Sequence, residues 1–273
     1  MCAPFGTSVS RPCGDAAPRV SVVTPVWNAA ATLGETVASV RAQSMPDWEL
    51  LLVDDGSADG SRALAEALAA GDGRIRLLGW GARQGAAAAR NAAIRAARGR
   101  FIAFLDADDL WYPEKLAAQL GFMAAGGHGF VFSAYRRIAE DGRPLGIVRP
   151  PARVLYRDLL KGNVIGCLTA VYDTARFGKV EMPSLARRQD FGLWLELLRR
   201  SGEAAHALPE VLADYRVRAG SLSADKRAAA RATWALYREH ERLSLPRAGW
   251  YFLHYAARGL AARLGERPGR RTG

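Results

Sequence analysis

The sequence predicts an α/β fold: a mostly parallel central sheet flanked by helices, followed by C-terminal helices. Two observations carry this. Four short aliphatic runs, "VSVVTPV", "WELLLVDD", "IRLLGW" and "FIAFLD", are separated by helical patterns, and such alternation builds parallel sheets with helices on both faces. Acidic clusters close the second and fourth runs, at the strand ends where α/β sheets bind ligands. A hydrophobic fraction of 49% supplies the core.

Each element follows from its local pattern. After the first run, "TLGETVASVRAQS" reads as a helix, with Thr32 and Glu35 at capping-box spacing. "GSRALAEALAAG" is the helix after the second run, and "GAAAARNAAIRAARG" the one after the third, with Gly99 as its expected stop. Pro113 suits the first position of the helix "EKLAAQLGFMAAG". "GFVFSAYRRI" then reads as a strand and "EDGRP" as a turn. The stretch 145–183 is mixed, with one strand candidate at "VIGCLTAVY". Beyond it come the helix "RRQDFGLWLELLRRSG", a short strand, "VLADYRV", and two helices between Asp225 and Leu264.

Charge and cysteine usage narrow the function classes. A net charge of +11 and a pI near 10.1 favour an anionic partner: nucleic acid, a lipid surface or a phosphorylated substrate. Cys2, Cys13 and Cys167 form no CxxC pair, and the four histidines are scattered. This argues for a reducing compartment and against a zinc or His-built centre. Residues 1–18 read as a disordered leader, without the apolar stretch of a signal peptide. The expected location is the cytoplasm, with peripheral contact to the inner face of the membrane kept open.

The chemistry gathers at two acidic motifs. "VDDGSADGS" places Asp54 and Asp55 at a strand end, as an Asp-Gly turn or as acceptors for a base imino group or ribose hydroxyl. "DADD" crowds Asp106, Asp108 and Asp109 into four positions, which costs stability unless something positive compensates it. Helix capping is one reading. The other assigns one acid to a ribose and Asp108 to Mn²⁺ or Mg²⁺ carrying a diphosphate, because these ions prefer oxygen ligands and need few protein groups. Between the motifs, Gly85 opens a helix whose free N–H groups could face phosphate, and Arg90 is either a phosphate contact or an internal ion-pair partner. Asp190, in the first turn of its helix, serves the helix dipole or acts as a general base. Walker A and GxGxxG signatures are absent, which disfavours kinase and dinucleotide readings.

Taken in order, "VSVVTPVWNAAATL", "VDDGSADGS", "GAAAARNAAI", "FLDADDLW" and "RRQDFGLWLEL" resemble the family 2 inverting glycosyltransferases of the GT-A nucleotide-diphospho-sugar fold, over about 19–243. "GNVIGCLTAVYD" and "YRVRAGSLSADK" are further similar to the bacterial members that build capsule, lipopolysaccharide, exopolysaccharide or teichuronic acid. The resemblance implies that Asp55 recognises uridine, with Pro25 and Val26 lining the base pocket. It further implies that Asp106 contacts ribose, Asp108 binds the metal and Asp190 is the base, while Arg216 and Arg218 either close over the diphosphate or belong to a solvated loop. Gln189 stands where many members carry Glu, which bears on acceptor contacts. The Q-x-x-R-W signature of processive synthases is missing, so transfer of single sugars is expected.

The implied reaction moves one sugar from a UDP-sugar to a hydroxyl of a glycan or lipid-linked acceptor, with inversion. The implied domains are a transferase domain over 19–224 and a basic helical segment over 225–273. In that segment Trp250, Leu253, Ala257, Leu260 and Leu264 fall near one helical face, with Arg258 and Arg263 elsewhere, as a packed helix or one lying on lipid. Two rivals remain. A sugar-phosphate nucleotidyltransferase would carry a Gly-rich phosphate loop where this chain has "VWNAAATL", and a basic nucleic-acid-binding protein would show interleaved aromatic and basic residues, which are lacking.

Overall fold

The computed structural model describes residues 17–79, 81–218 and 226–265, with side chains excluded at 226 and 260–265. Residues 1–16 of the expected leader, the 224/225 boundary, the "GSLSAD" segment and the side chains of Leu260, Arg263 and Leu264 lie outside the described residues.

The four aliphatic runs form β1 (Val20–Val26), β2 (Trp48–Asp54), β3 (Ile75–Gly79) and β4 (Phe101–Phe104). They pair in parallel in the order β3-β2-β1-β4. The connecting helices are α1 (Leu33–Arg41), α2 (Ser61–Ala70) and α3 (Ala86–Ala96). Every residue of β2 is buried, as expected for a strand covered on both faces.

Past β4 the chain makes β5 (Leu110–Trp111), α4 (Lys115–Gly126), β6 (Phe130–Ile138), β7 (Pro144–Val148), β8 (Arg153–Val154) and α5 (Tyr156–Leu159). It continues through β9 (Val171–Asp173), α6 (Thr174–Phe177), α7 (Gln189–Ser201), β10 (Ala205–Arg216), α8 (Lys226–Ala235) and α9 (Leu245–Gly265). The sheet extends as β4-β9-β6-β10-β5, with β7 on β6 and β8 on β10. The long β6–β10 ladder is parallel, whereas β9 joins β4 and β6 by short antiparallel pairings. The result is a mixed α/β sheet, mostly parallel by ladder length.

Two cores fill the two faces. Val20, Val22 and Val26 pack with Leu33, Val37 and Val40 of α1, while Val23, Leu51 and Phe104 face Ile94 of α3 and Trp194 of α7. Alternation along each strand divides the residues between the faces. Leu236, Tyr237 and Ala248 join the α7 side, so the C-terminal helices are part of the same body. Between α8 and α9, Leu236–His240 widens into a π-helical turn.

Several local expectations are corrected. Thr32 precedes α1 without capping it; its hydroxyl donates to the Ala107 carbonyl at 2.8 Å. Glu35 pairs with Arg216 instead of closing a capping box. Gly99 does not stop α3, which ends at Ala96. A Cβ at Gly99 would stand 2.6 Å from the Ser21 nitrogen, so the residue is required by close approach to β1. Pro113 lies one residue ahead of the Glu114 cap of α4. The candidate strand "VIGCLTAVY" is mostly loop and a 3₁₀ turn at Cys167–Thr169, and only Val171–Asp173 is extended. β5 and β8, each two residues long, carry too little pattern to be foreseen.

Candidate active site

The first acidic loop is built around backbone N–H groups. β2 ends at Asp54, whose carboxylate accepts from Ser57 N at 3.2 Å and lies 3.5 Å from Arg62 Nη1. Asp55 accepts from Gln84 N at 2.6 Å and Gly85 N at 2.9 Å, tying the turn to the head of α3. Gly56 has φ 76°, and a Cβ there would meet Arg83 N at 2.8 Å, so only glycine permits this approach. Beside the turn, Asn28 accepts from Ala58 N at 2.9 Å, and Arg83 stacks 3.6 Å above the half-exposed ring of Trp27.

Pro25 and Val26 sit on opposite faces of the end of β1. Val26 is fully buried in the α1-side core, so its side chain does not line a base pocket as the resemblance implied. Its carbonyl accepts from Asp55 N at 2.8 Å. Pro25, partly exposed, is left to line the cleft.

The second acidic loop separates its three carboxylates by their partners. Arg90, buried on α3, donates to Asp106. Burial works against the Arg90 charge, yet Asp106 foremost, with Cys167 and Asp190, raises its pKa. Asp109 is buried and accepts from Arg216 N at 2.9 Å; burial, then Asp108 and Asp106, push its carboxyl well above the usual range. Asp108 remains toward the cleft, with Arg218 Nη1 3.6 Å away. Burial and then Asp106 raise its pKa, and Arg218 opposes the rise.

That arrangement suits a cation. A carboxylate crowded by a neighbouring acid, with its second and third companions already bound to protein donors, is a hard-oxygen ligand still short of positive charge. Mn²⁺ or Mg²⁺ would fit at Asp108.

Arg216 is placed otherwise than the resemblance implied. Its guanidinium donates to the Asp108 carbonyl at 2.9 Å, to the Glu140 carbonyl at 3.0 Å and to Glu35 at 2.6 Å. With three of its N–H groups engaged and its side chain buried, Arg216 fastens the "DADD" loop to β10 and α1 instead of standing open over a diphosphate. Arg218, partly exposed beside Asp108, keeps that position.

Asp190 lies at the head of α7, preceded by Arg188 in left-handed conformation at φ 66°. Asn163 Nδ2 donates to Asp190 Oδ2 at 3.1 Å. Burial raises the Asp190 pKa against the Phe191 N–H, Arg90 and Arg188, and Asp106 adds to the rise. A carboxyl so displaced is a stronger proton acceptor when ionised, which suits a general base. Arg90 therefore couples electrostatically to both Asp106 and Asp190, which places the head of α7 within reach of the second acidic loop.

Sequence reasoning missed four contributors. Thr32 and Glu35 matched a capping pattern that concealed their contacts to "DADD" and Arg216. Asn163 was visible only inside a motif without an assigned role, and the left-handed conformation of Arg188 has no sequence signature.

The comparisons with known proteins decide the family. The model of the Glycosyl transferase family 2 matches residues 21–174. The chain belongs to glycosyltransferase family 2. It is 43% identical over 248 residues to TuaG of Bacillus subtilis, named for teichuronic acid biosynthesis, covering 90% of this chain and 98% of the relative. It is 34% identical over 241 residues to WfgD of Escherichia coli, a UDP-Glc:alpha-D-GlcNAc-diphosphoundecaprenol beta-1,3-glucosyltransferase, covering 88% and 93%. Staphylococcus aureus TarS, solved with UDP-GlcNAc, superposes with a TM-score of 0.69 at 18% identity over 89% of this chain and 73% of that one. This glycosyltransferase therefore has the GT-A fold, and the nucleotidyltransferase and nucleic-acid-binding readings fall away.

Proposed function

We propose that this family 2 member is a metal-dependent inverting enzyme. It transfers one sugar from a UDP-sugar to a hydroxyl of a bacterial cell-surface glycan or its lipid-linked precursor. The observation that carries the reading is the division of labour among the acids. Asp106 accepts from buried Arg90 and Asp109 from Arg216 N, partly exposed Asp108 has Arg218 3.6 Å away, and Asp190, coupled to Asp106 and Arg90, has a raised pKa. The donor and acceptor classes rest on the relatives, one of which is named for UDP-Glc and a diphosphoundecaprenol-linked acceptor.

In this mechanism Asp55, with Asp54 behind it, Pro25 and the Trp27 ring receive the base, and Asp106 faces the ribose. A cation at Asp108 would supply charge neutralisation for the departing diphosphate. Arg218 adds a second positive group there. Asp190 takes the proton from the acceptor hydroxyl, the oxygen forms its bond to the anomeric carbon, and the bond from that carbon to UDP breaks with inversion. The leaving diphosphate needs no proton, so a single base is sufficient. The transferase domain proposed over 19–224 carries the site residues, and the basic helical segment over 225–273 packs into the same body through Leu236, Tyr237 and Ala248.

Peripheral attachment to the inner face of the membrane belongs to the same proposal, because a diphosphoundecaprenol-type acceptor resides in a bilayer. Among the described residues no helix is long and apolar enough to cross one. The test is UDP release from a UDP-sugar panel with a lipid-linked acceptor, followed by NMR of the product's anomeric configuration. Acceptor-dependent UDP release and an inverted linkage are expected. Retention of configuration would overturn the single-displacement mechanism, and pyrophosphate release from a nucleoside triphosphate would overturn the reaction class.

A further inference from the structure

Helix α9 has two apolar faces, and only one is packed. Ala248, Tyr251, Phe252 and Tyr255 turn inward, with Ala248 fully buried and Tyr251 and Phe252 against the α7-side core. On the opposite side Pro246, Trp250, Leu253 and Ala257 are exposed, and at 100° per residue they fall within an arc of about 60°. Trp250 is 60% and Leu253 67% exposed. Arg247 and Arg258, also exposed, flank this strip along one edge. An open strip of Trp and Leu edged by arginine is the composition of a helix lying in a bilayer interface.

The helix is tied to the base end of the active site. Tyr255 accepts a hydrogen bond from Arg188 Nη2 at 3.0 Å, and Arg188 sits two residues before Asp190. The Arg258 side chain lies over Gly162, next to Asn163, which holds the Asp190 carboxylate. The packed side of α9 is therefore joined to the Asp190 end of the site. The segment after 265, "ERPGRRTG", has no large apolar residue with which to cover the strip and adds three arginines.

We propose that the outer face of α9 docks on an anionic phospholipid surface, with Trp250 and Leu253 entering the interface and Arg247 and Arg258 meeting the head groups. This rests on the glycosyltransferase reading only for its purpose, delivery of Asp190 to a membrane-borne acceptor, and not for its geometry.

The test is co-sedimentation of the full chain with vesicles of phosphatidylglycerol and phosphatidylethanolamine, and with phosphatidylcholine vesicles. Wild type should bind the anionic vesicles, and Trp250→Glu/Leu253→Glu should lower the apparent affinity by roughly tenfold or more, since each side chain removes an apolar burial worth at least that factor. Arg247→Glu should weaken binding less and reduce the preference for anionic lipid. Both variants change exposed side chains, and circular dichroism confirms that they fold.

Failure of folded wild type to sediment, equal binding by the double variant, or equal binding to phosphatidylcholine would overturn the proposal. A lipid-free dimer seen by analytical ultracentrifugation and dissolved by Trp250→Glu/Leu253→Glu would overturn it too, by showing that a second copy covers the strip. No sugar donor is present, so these outcomes are independent of whether the proposed transfer reaction is correct.

Discussion

The loops after β2 and β4 and the head of α7 contribute the acids of the site, and Arg90 links those after β4 to Asp190 of α7 electrostatically, yet the two regions hold their acids by different contacts. In the loops, Asp55 and Asp109 accept backbone N–H groups, and buried Arg216 bolts the second loop to β10. At the head of α7, Asp190 takes a side-chain amide from Asn163 beside the Phe191 N–H of its own helix, and a left-handed Arg188, bonded to Tyr255 of α9, adds positive charge nearby. Backbone donors fix a carboxylate without rotamer freedom, whereas side-chain partners leave it adjustable. The loops are pre-organised, as a site for one nucleotide would need, and Asp190, the proposed base, neighbours an arginine tied to α9, where acceptor differences would enter.

This contrast is broken most severely at the base. Asp190→Asn keeps the shape of α7 but cannot take a proton, so turnover should fall by roughly 10²–10⁴-fold while UDP binding stays near wild type. Steady-state kinetics with calorimetric UDP titration checks this. Near-normal turnover would remove Asp190 from its role.

Arg216→Met comes next and probes the rigid region. It strands the carbonyls of Asp108 and Glu140, and urea unfolding should show a loss of about 1–3 kcal/mol, with weaker nucleotide binding. An Arg216 that served only the diphosphate would weaken binding without that loss of stability.

The smallest effect sharpens the adjustable region. In the proposed mechanism the ionised form of Asp190 is the active one, and its pKa is raised, so kcat/KM should climb as pH rises through a range above the ordinary carboxyl value of about 4 and then level off. Asn163 donates to the ionised form, so Asn163→Ala should move that climb to higher pH with a modest loss of rate. An unshifted profile would show that the Asn163 contact does not act on the base.

The two regions also differ in how far they could be read from sequence. The aliphatic runs, their alternation with helices and the acids at their ends specify β1 to β4 and place Asp55 and Asp108, because each depends on neighbours close in the chain. The roles of Glu35 and Arg216 depend on a contact between residues 181 positions apart, which no local pattern encodes. Asn163 and Arg188 lie in the stretch 145–188, where short irregular elements leave no periodicity to follow. The Glu196, His240 and Glu241 cluster likewise shows how partners decide meaning. Its ligand atoms lie close enough for a metal, yet Arg199 and Arg200 already answer Glu196, and the unpaired His240 Nε2 faces Glu241 Oε1 at 3.8 Å.

The central claim is that Asp108 faces the cleft to hold a metal-bound uridine diphosphate. Thermal unfolding of wild type and Asp108→Asn with UDP, GDP, CDP and ADP, each with and without Mn²⁺, tests it most directly. A ligand at ~100 times its Kd adds roughly 2.7 kcal/mol to folded stability. The account predicts that UDP with Mn²⁺ raises the wild-type midpoint above the other nucleotides and that Asp108→Asn loses the Mn²⁺-dependent part. Equal stabilisation of both proteins, or none by any diphosphate in a folded wild type, would contradict it.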